Sequence, residues 1–501
     1  MNCLFFSLRF KFVCIVFFLI PLLLNGLSAQ KIIEVGPGKT YSNPQAACLQ
    51  ALAGDTVLIY PGKYSGGIYI DNLIGKPNAR ISIIGTDANA VIIEGGVEAF
   101  HFSQLEYVNF MNLTIRGQSG NGVNMDDAGT YESPSKHVLI SNVSFLDMNA
   151  SGNNDMLKLS GLDSFEIRNC NFSNGSAGGS GIDMVGCHYG WIHNSLFVNQ
   201  GSNSIQIKGG CNNIHIEANK FKNGGQRALN LGGSTGTAFF RPLGANYEAK
   251  NLLVNSNYFI GSESPIAYVG CRNVQVSNNT FVNPTKWIFR ILQESSDTNF
   301  YQSCANNIFS NNIVYCSNLS PTINIGPLTS EKTFRINNNL WYNAQIISWR
   351  GPTLPVVELN GVYSQDPLFE DVTNEIINLK SNSPAIGKGL NYVIYNLDYN
   401  LKSFKNPPAI GATEFVLNTL VESIELNALK IFPNPCRGLL QIKGINGKTS
   451  VNIYSIFGVK IKEFTIETNA LLELNGIDQG SYFVVISGEN QFQSQLLIIN
   501  K

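Results

Sequence analysis

The sequence is short of charge. Asp, Glu, Lys and Arg make up 14% of its 501 residues and nearly cancel, to a formal −1. That balance offers no field to steer a polyanion, so nucleic acid is not an expected partner, and it does not fit an acidic disordered chain. Beyond the N-terminus no apolar run is long enough to cross a bilayer, so no transmembrane segment is expected in the mature chain. Cysteine is sparse at ten residues, and its spacing matches neither a metal motif nor a dense disulfide framework. What the chain holds in quantity is glycine, 47 residues, with asparagine dense between Asn109 and Asn343. Both residues tolerate tight corners and left-handed backbone, which predicts many short strands.

Residues 1–29 read as a signal peptide. Arg9 and Lys11 lead into the apolar core Phe12 to Leu24, and Leu27-Ser28-Ala29 offers small residues for cleavage before Gln30. Cys14 lies inside that apolar core rather than after it, which argues against a lipoprotein. Cys3 and Cys14 leave with the signal, and eight cysteines remain.

The middle of the chain repeats itself. An apolar–polar–apolar triplet recurs at Phe100-His101-Phe102, Val123-Asn124-Met125, Leu157-Lys158-Leu159, Ile182-Asp183-Met184 and Ile205-Gln206-Ile207. It continues at Leu229-Asn230-Leu231, Ile266-Ala267-Tyr268, Phe289-Arg290-Ile291 and Ile323-Asn324-Ile325. The central positions step by 23, 34, 25, 23, 24, 37, 23 and 34 residues. The basic turn is thus about 23 residues, interrupted by insertions. A second pattern runs in phase: Asn, two residues, then an apolar residue, as in Asn142 to Phe145, Asn169 to Phe172, Asn194 to Phe197, Asn278 to Phe281 and Asn338 to Trp341. Phe221 and Phe259 keep the aromatic where Ala218 and Ser256 replace the Asn. Alternation within each triplet says strand. A turn this short leaves no room for a helix, but it fits a coil of three strands. Stacked coils align like strands into parallel sheets, and parallel crossovers are right-handed.

These residues resemble the pectate-lyase-like superfamily of right-handed parallel β-helices. The start is similar too: Gly38-Lys39-Thr40-Tyr41, Gly54-Asp55-Thr56-Val57-Leu58-Ile59 and Pro61-Gly62-Lys63-Tyr64. The resemblance implies a short capping helix, placed near Pro44 to Leu52. Asp366-Pro367-Leu368-Phe369, Ser383-Pro384-Ala385-Ile386 and Ile410-Gly411-Ala412-Thr413-Glu414 resemble the closing region of secreted members. The expected fold is therefore all-β, a solenoid over 30–415, then a linker at 416–428. Residues 429–501 read as a small β-sandwich, from Phe432-Pro433-Asn434-Pro435 through Gly480-Ser481-Tyr482-Phe483 to the final Leu496-Leu497-Ile498-Ile499. Their order of motifs resembles the type A sorting domain of type IX secretion. That resemblance implies passage through the periplasm, use of the type IX machinery, and release or anchoring at the surface.

Chemistry is expected on one strip. Alternation turns His101, Asn124, Lys158, Asp183, Gln206, Asn230, Arg290 and Asn324 outward in one column, with Asp126 and Lys208 in the next. Insertions near Gly117–Lys136, Thr235–Lys250 and Gln293–Ala305 would wall this strip if they rise on one side. The middle one carries Phe239-Phe240-Arg241-Pro242 and Tyr247, aromatics for sugar rings and a cation for a carboxylate or sulfate. Cleaving an acidic polysaccharide by β-elimination needs a base, a cation for the carboxylate and a donor for the leaving oxygen. Several β-helix lyase families place a Lys and an Arg about one coil apart, sometimes with calcium. That resemblance nominates Lys208 as base and Arg227 as proton donor or carboxylate partner. Asp183 and Asp126 would orient them or bind a cation, and Lys158, Gln206, Asn230, Arg241, Arg290 and Asn124 would hold substrate. Asp126 and Asp127 are the candidate calcium ligands. The alternatives are a glycoside hydrolase using Asp183 with Asp126 or Asp155, and a non-catalytic polysaccharide-binding adhesin.

Overall fold

The computed structural model describes residues 30–317, 321–391 and 397–416, and 429–499 except 435, 446, 456–459, 479 and 489–491. The signal peptide and nearly all of the linker lie outside the described residues. Asn43 opens a short α-helix, Pro44–Cys48, by accepting the Ala46 N–H at 3.0 Å. Ala47 and Cys48 are buried against the first coil.

From there the chain winds as three strands per coil. One coil runs Ser180–Val185, His188–His193 and Leu196–Val198, and the next runs Asn203–Lys208, Cys211–Glu217 and Lys220–Lys222. Each strand pairs in parallel with its counterpart one coil on, as Ile182 with Ile205 and Phe197 with Phe221. One ten-stranded parallel sheet gathers all nine triplets, plus Ile68–Asp71, which carries the same alternation at its head. The other strands of the coils join a long second sheet. Inward residues form one continuous apolar cluster from Ile33 to Trp341.

Two features hold the stack along its length. The aromatic column lies face to face: Phe145, Phe172, Phe197, Phe221, Phe259 and Phe281 have successive centroids 4.7, 4.7, 4.9, 4.7 and 4.8 Å apart. Where the next coil offers only Val314, Phe309 from a neighbouring strand bridges to Trp341. The corner asparagines take left-handed backbone, with φ of 55° at Asn142, 53° at Asn169 and 52° at Asn194 and Asn278. Ala218 and Ser256 are forced into the same region, with φ of 51° and 55°. From Ala218 onward a hydrogen-bond ladder uses the residue after the corner. Asn219, Asn257, Asn279, Asn312 and Asn339 are buried, and each passes its Nδ2–H to the next Oδ1, at 3.1, 3.0, 3.1 and 3.2 Å. Glu358 ends the ladder, accepting from Asn339 Nδ2 at 2.8 Å and from Trp341 Nε1 at 2.7 Å.

The closing region does more than end the solenoid. Phe369, Ile377, Leu379, Ala385, Ala409 and Ile410 pack over the outward Tyr258, Val282, Ile313 and Leu340. This segment therefore lies along the flank of several coils. The C-terminal residues build antiparallel sheets of three and four strands around a separate core that includes Leu440, Val451, Leu472, Val484 and Leu497.

Candidate active site

Register assembles the expected strip. Successive partners across the ten-stranded sheet are His101, Asn124, Lys158, Asp183, Gln206 and Asn230. Ala267, Arg290 and Asn324 follow. The neighbouring column runs Ser103, Asp126, Ser160, Val185, Lys208. There it breaks. A bulge between Gln206 and Ile207 sets Ile207 against Gly232, so Lys208 has no partner at Gly232 as strict alternation expects.

The centre of the strip is a four-residue ion cluster. Asp183 is fully buried and holds two lysines: Lys158 in close contact and Lys208 at 3.2 Å. Lys158 also faces Asp155 at 3.8 Å. The lysine side chains keep 22% and 15% of their surface, while those of Asp155 and Asp183 keep 2% and 1%. The groove floor is thus cationic, with its acids underneath. Among the described residues no donor reaches Asp183 Oδ1. Burial, and then the Asp183 charge, push the Asp155 carboxyl up to about 6. Burial opposes the charge on Lys158, but Asp183 and Asp155 together hold its ammonium above the ordinary lysine range.

That raised carboxyl carries a pH signature. An ordinary Asp in the unfolded chain loses its proton near pH 3.9, whereas native Asp155 keeps it to about 6. In between, the unfolded state binds fewer protons, so stability falls as pH rises, by about 3 kcal/mol in all. Asp155→Asn keeps an oxygen for the Ser180 N–H, which donates to Asp155 Oδ1 at 2.8 Å. Urea denaturation between pH 4 and 6 is expected to show that decline in the parent and a flatter profile in Asp155→Asn; equal slopes would contradict the assignment.

The other candidates sit around this cluster. Arg227 donates to Asn230 Oδ1 at 3.1 Å and pairs with Glu294 of the third insertion at 2.7 Å. Arg290 donates to Asn324 at 3.0 Å and lies 4.3 Å from the centroid of the Trp287 ring. Asn124 lies between His101 and Lys158, and Gln206 between Asp183 and Asn230.

The three insertions meet on one side. Tyr131 of the first donates its hydroxyl to Ala238 O of the second. Gln302 N of the third donates to Asn246 O at 2.8 Å, and Tyr301 packs 5.8 Å from Phe240. Glu248, buried, ties the roots of the second and third to the solenoid: it accepts from Gly209 N at 3.0 Å, Thr235 N at 2.9 Å, Thr235 Oγ1 at 2.7 Å and Ser295 Oγ at 2.8 Å. Gly210 (φ 89°) lets the second insertion lie close, since a Cβ there would stand 2.4 Å from Arg241 O. Nothing in the sequence marked Glu248 or Glu294, whose partners are far along the chain.

Some expected roles do not survive this geometry. Arg241 does not reach into the groove. Its guanidinium grips both oxygens of Asp163 at 2.7 Å and bonds Gly186 O at 2.9 Å and Tyr131 O at 3.1 Å. Phe240 and Tyr247 are packed with Ala245 in a small core of their own, and only Phe239 is exposed. Asp126 accepts from Ser103 Oγ at 2.6 Å and Ala128 N at 2.9 Å and meets His101 at 2.7 Å. Asp127 accepts from Gly129 N at 2.9 Å. These carboxylates are spent on the protein's own donors, and no cluster of three metal-ligating side chains occurs among the described residues. The pair does not fit calcium.

The chain is similar to the crystal structure of pectate lyase Pel9A, with a TM-score of 0.51 at 16% identity, over 78% of this chain and 98% of that one. The chain is a right-handed parallel β-helix. It is also similar to an alginate lyase from Paenibacillus sp. str. FPU-7 (TM-score 0.37, 17% identity, 66% and 97% covered). The catalytic domain of a GH87 alpha-1,3-glucanase is another (TM-score 0.46, 13% identity, 67% and 65% covered). A search among curated proteins finds no match. Residues 430–500 match the family described as "Secretion system C-terminal sorting domain". The β-helix therefore carries a secretion signal at its C-terminal end. No helix among the described residues is long and apolar enough to cross a membrane.

Proposed function

We propose that this protein is exported by the type IX route, through the periplasm, and cleaves an acidic polysaccharide by β-elimination on the walled strip. One observation carries the reading: the groove floor presents Lys158, Lys208, Arg227 and Arg290, while Asp155 and Asp183 are buried beneath the lysines. Cations facing outward suit a chain of uronates. Acids sealed from the groove do not suit a hydrolase, whose two carboxyls must reach the glycosidic bond.

Lys158 answers to two carboxylates, and Lys208 to one that it shares. Lys208 is accordingly the base: once its ammonium proton has passed to solvent, the neutral amine takes the proton beside the sugar carboxylate, leaving Lys158, Arg227 and Arg290 as the cations that meet the substrate. Arg227 neutralises that carboxylate or donates to the leaving oxygen, once it turns from Glu294. The second reading is a binding-only surface protein. It is favoured by the fact that Lys208 and Arg227 each already have a carboxylate partner.

The purified mature chain should be given uronate-containing and neutral polysaccharides, with reducing ends and unsaturated-uronate absorbance followed together. The expected result is that both rise, and that Lys208→Ala and Arg227→Ala each cut the rate about 100-fold or more. Reducing ends without absorbance would replace the lyase with a hydrolase. Retention of an acidic polysaccharide without cleavage would establish the binding-only reading.

A further inference from the structure

Four of the thiols of this chain, Cys187, Cys211, Cys271 and Cys304, are stacked rather than scattered. Cys187 lies beside Cys211 on the next coil, Cys211 pairs with Ala249, and Ala249 with Cys271. Ala305 then pairs beside Arg272, and its N–H donates to Cys271 O at 3.1 Å, which brings Cys304 alongside Cys271. The two members at the end of this column touch: Cys271 Sγ and Cys304 Sγ are 4.0 Å apart, both fully buried. The other pair is engaged differently. Cys187 and Cys211 direct their thiols at the backbone oxygens of Leu159, Val185 and Met184.

We propose that Cys271 and Cys304 form a disulfide in the exported protein, one that staples the third insertion to the solenoid. Neighbouring parallel strands lie about 4.8 Å apart, inside the range of Cα separations a disulfide accepts. The thiols need only close on each other. The sorting domain at residues 430–500 marks the chain for secretion, and an exported chain leaves the reducing cytosol for compartments in which such bonds persist. The oxidant is a disulfide-bonded oxidoreductase of the export compartment. One S–S bond forms between Cys271 and Cys304, two thiol protons are released, and the two electrons reduce the oxidant's disulfide to two thiols. Because both sulfurs are sealed once the coils stack, the exchange takes place before the stack closes there.

The position gives the bond its effect. Cys304 stands at the end of the insertion Gln293–Ala305, and its N–H donates to Gln293 Oε1 at 2.8 Å, closing the insertion on itself. Tyr301 and Gln302, just before it, brace the second insertion. A covalent tie at Cys304 fixes the root of that brace and closes a loop across 33 positions.

The test is a non-reducing tryptic map of the full mature chain, recovered after export and alkylated at lysis. The expected product joins the fragment ending at Arg272 to the one running from Ile291 to Lys332, with fragmentation assigning Cys304 rather than Cys316. Chain made in a reducing cytosol should lack it, and so should Cys304→Ser, whose folding is checked by circular dichroism. Limited proteolysis within 293–305 should be faster in that variant and in reduced parent. Recovery of Cys271 and Cys304 as alkylated thiols from exported protein would overturn the proposal, as would linkage of either to another cysteine.

Discussion

Asp163→Ala is expected to cost about 3–5 kcal/mol, because it leaves a buried guanidinium without its counter-charge. The Arg241 side chain is 9% exposed and makes a two-point grip on Asp163, each arm 2.7 Å. His188 adds to the node, its Nδ1 3.1 Å from Arg241 and 3.2 Å from Asp163. Burial works against the Asp163 charge, yet the hydrogen bonds from Arg241 and His188 keep its carboxyl below the usual range. Removing the carboxylate therefore strands Arg241 while its backbone is still pinned, with Arg241 N donating to Gly209 O at 3.0 Å. The measurement is urea denaturation of the full chain, with proteolysis of residues 235–250 as a local readout. Asp163→Ala/Arg241→Met, which removes both charges, should recover most of the loss. A single variant as stable as the parent would show that the node contributes little. Tyr131 also hangs on Arg241, so the same lesion should loosen the wall between the first two insertions.

The misassignment of Arg241 shows where sequence reading runs out. A cation beside two aromatics in a long insertion reads as a ligand site, and nothing local reveals that its partner lies 78 residues earlier. The strip itself was legible, because alternation in nine triplets fixes which side chains share a face, and parallel pairing then lines them up. It failed at one point, the bulge before Ile207, where Leu231 continues the apolar pattern and hides the extra residue. The corner asparagines were legible as turn formers. The ladder one residue on was not: Asn279 and Asn312 each follow another Asn, and composition does not say which of the two points inward. The burial of Asp155 and Asp183 beneath the lysines was equally hidden, since Asp183 sits at a position that the strand pattern marks only as polar and Asp155 lies ahead of the strand Leu157–Ser160. That distinction matters most for function, because it separates a cationic groove from an acidic one.

The ladder also carries the second large effect. Asn279→Ala is expected to destabilise the chain by about 4 kcal/mol, since a buried amide is lost together with what it satisfied. Asn279 Oδ1 accepts from Asn257 N at 2.9 Å and Asn257 Nδ2 at 3.0 Å. Its Nδ2 donates to Val254 O and Ser277 O at 3.0 Å and to Asn312 Oδ1 at 3.1 Å. Alanine leaves these groups fully buried between coils, too deep for water to replace the amide at no cost. Asn223→Gly is the control. Asn223 is an exposed corner with φ of 50°, a conformation glycine adopts freely, so its stability should stay within about 0.5 kcal/mol of the parent. Each rung polarises the next, so the loss at Asn279 should be felt by Asn257 and Asn312 as well. A cycle combining Asn257→Ala with Asn312→Ala, which both bond Asn279, is therefore expected to cost less than the sum of the two. Strict additivity would mean that the rungs act as independent bonds and that the ladder is one only in appearance.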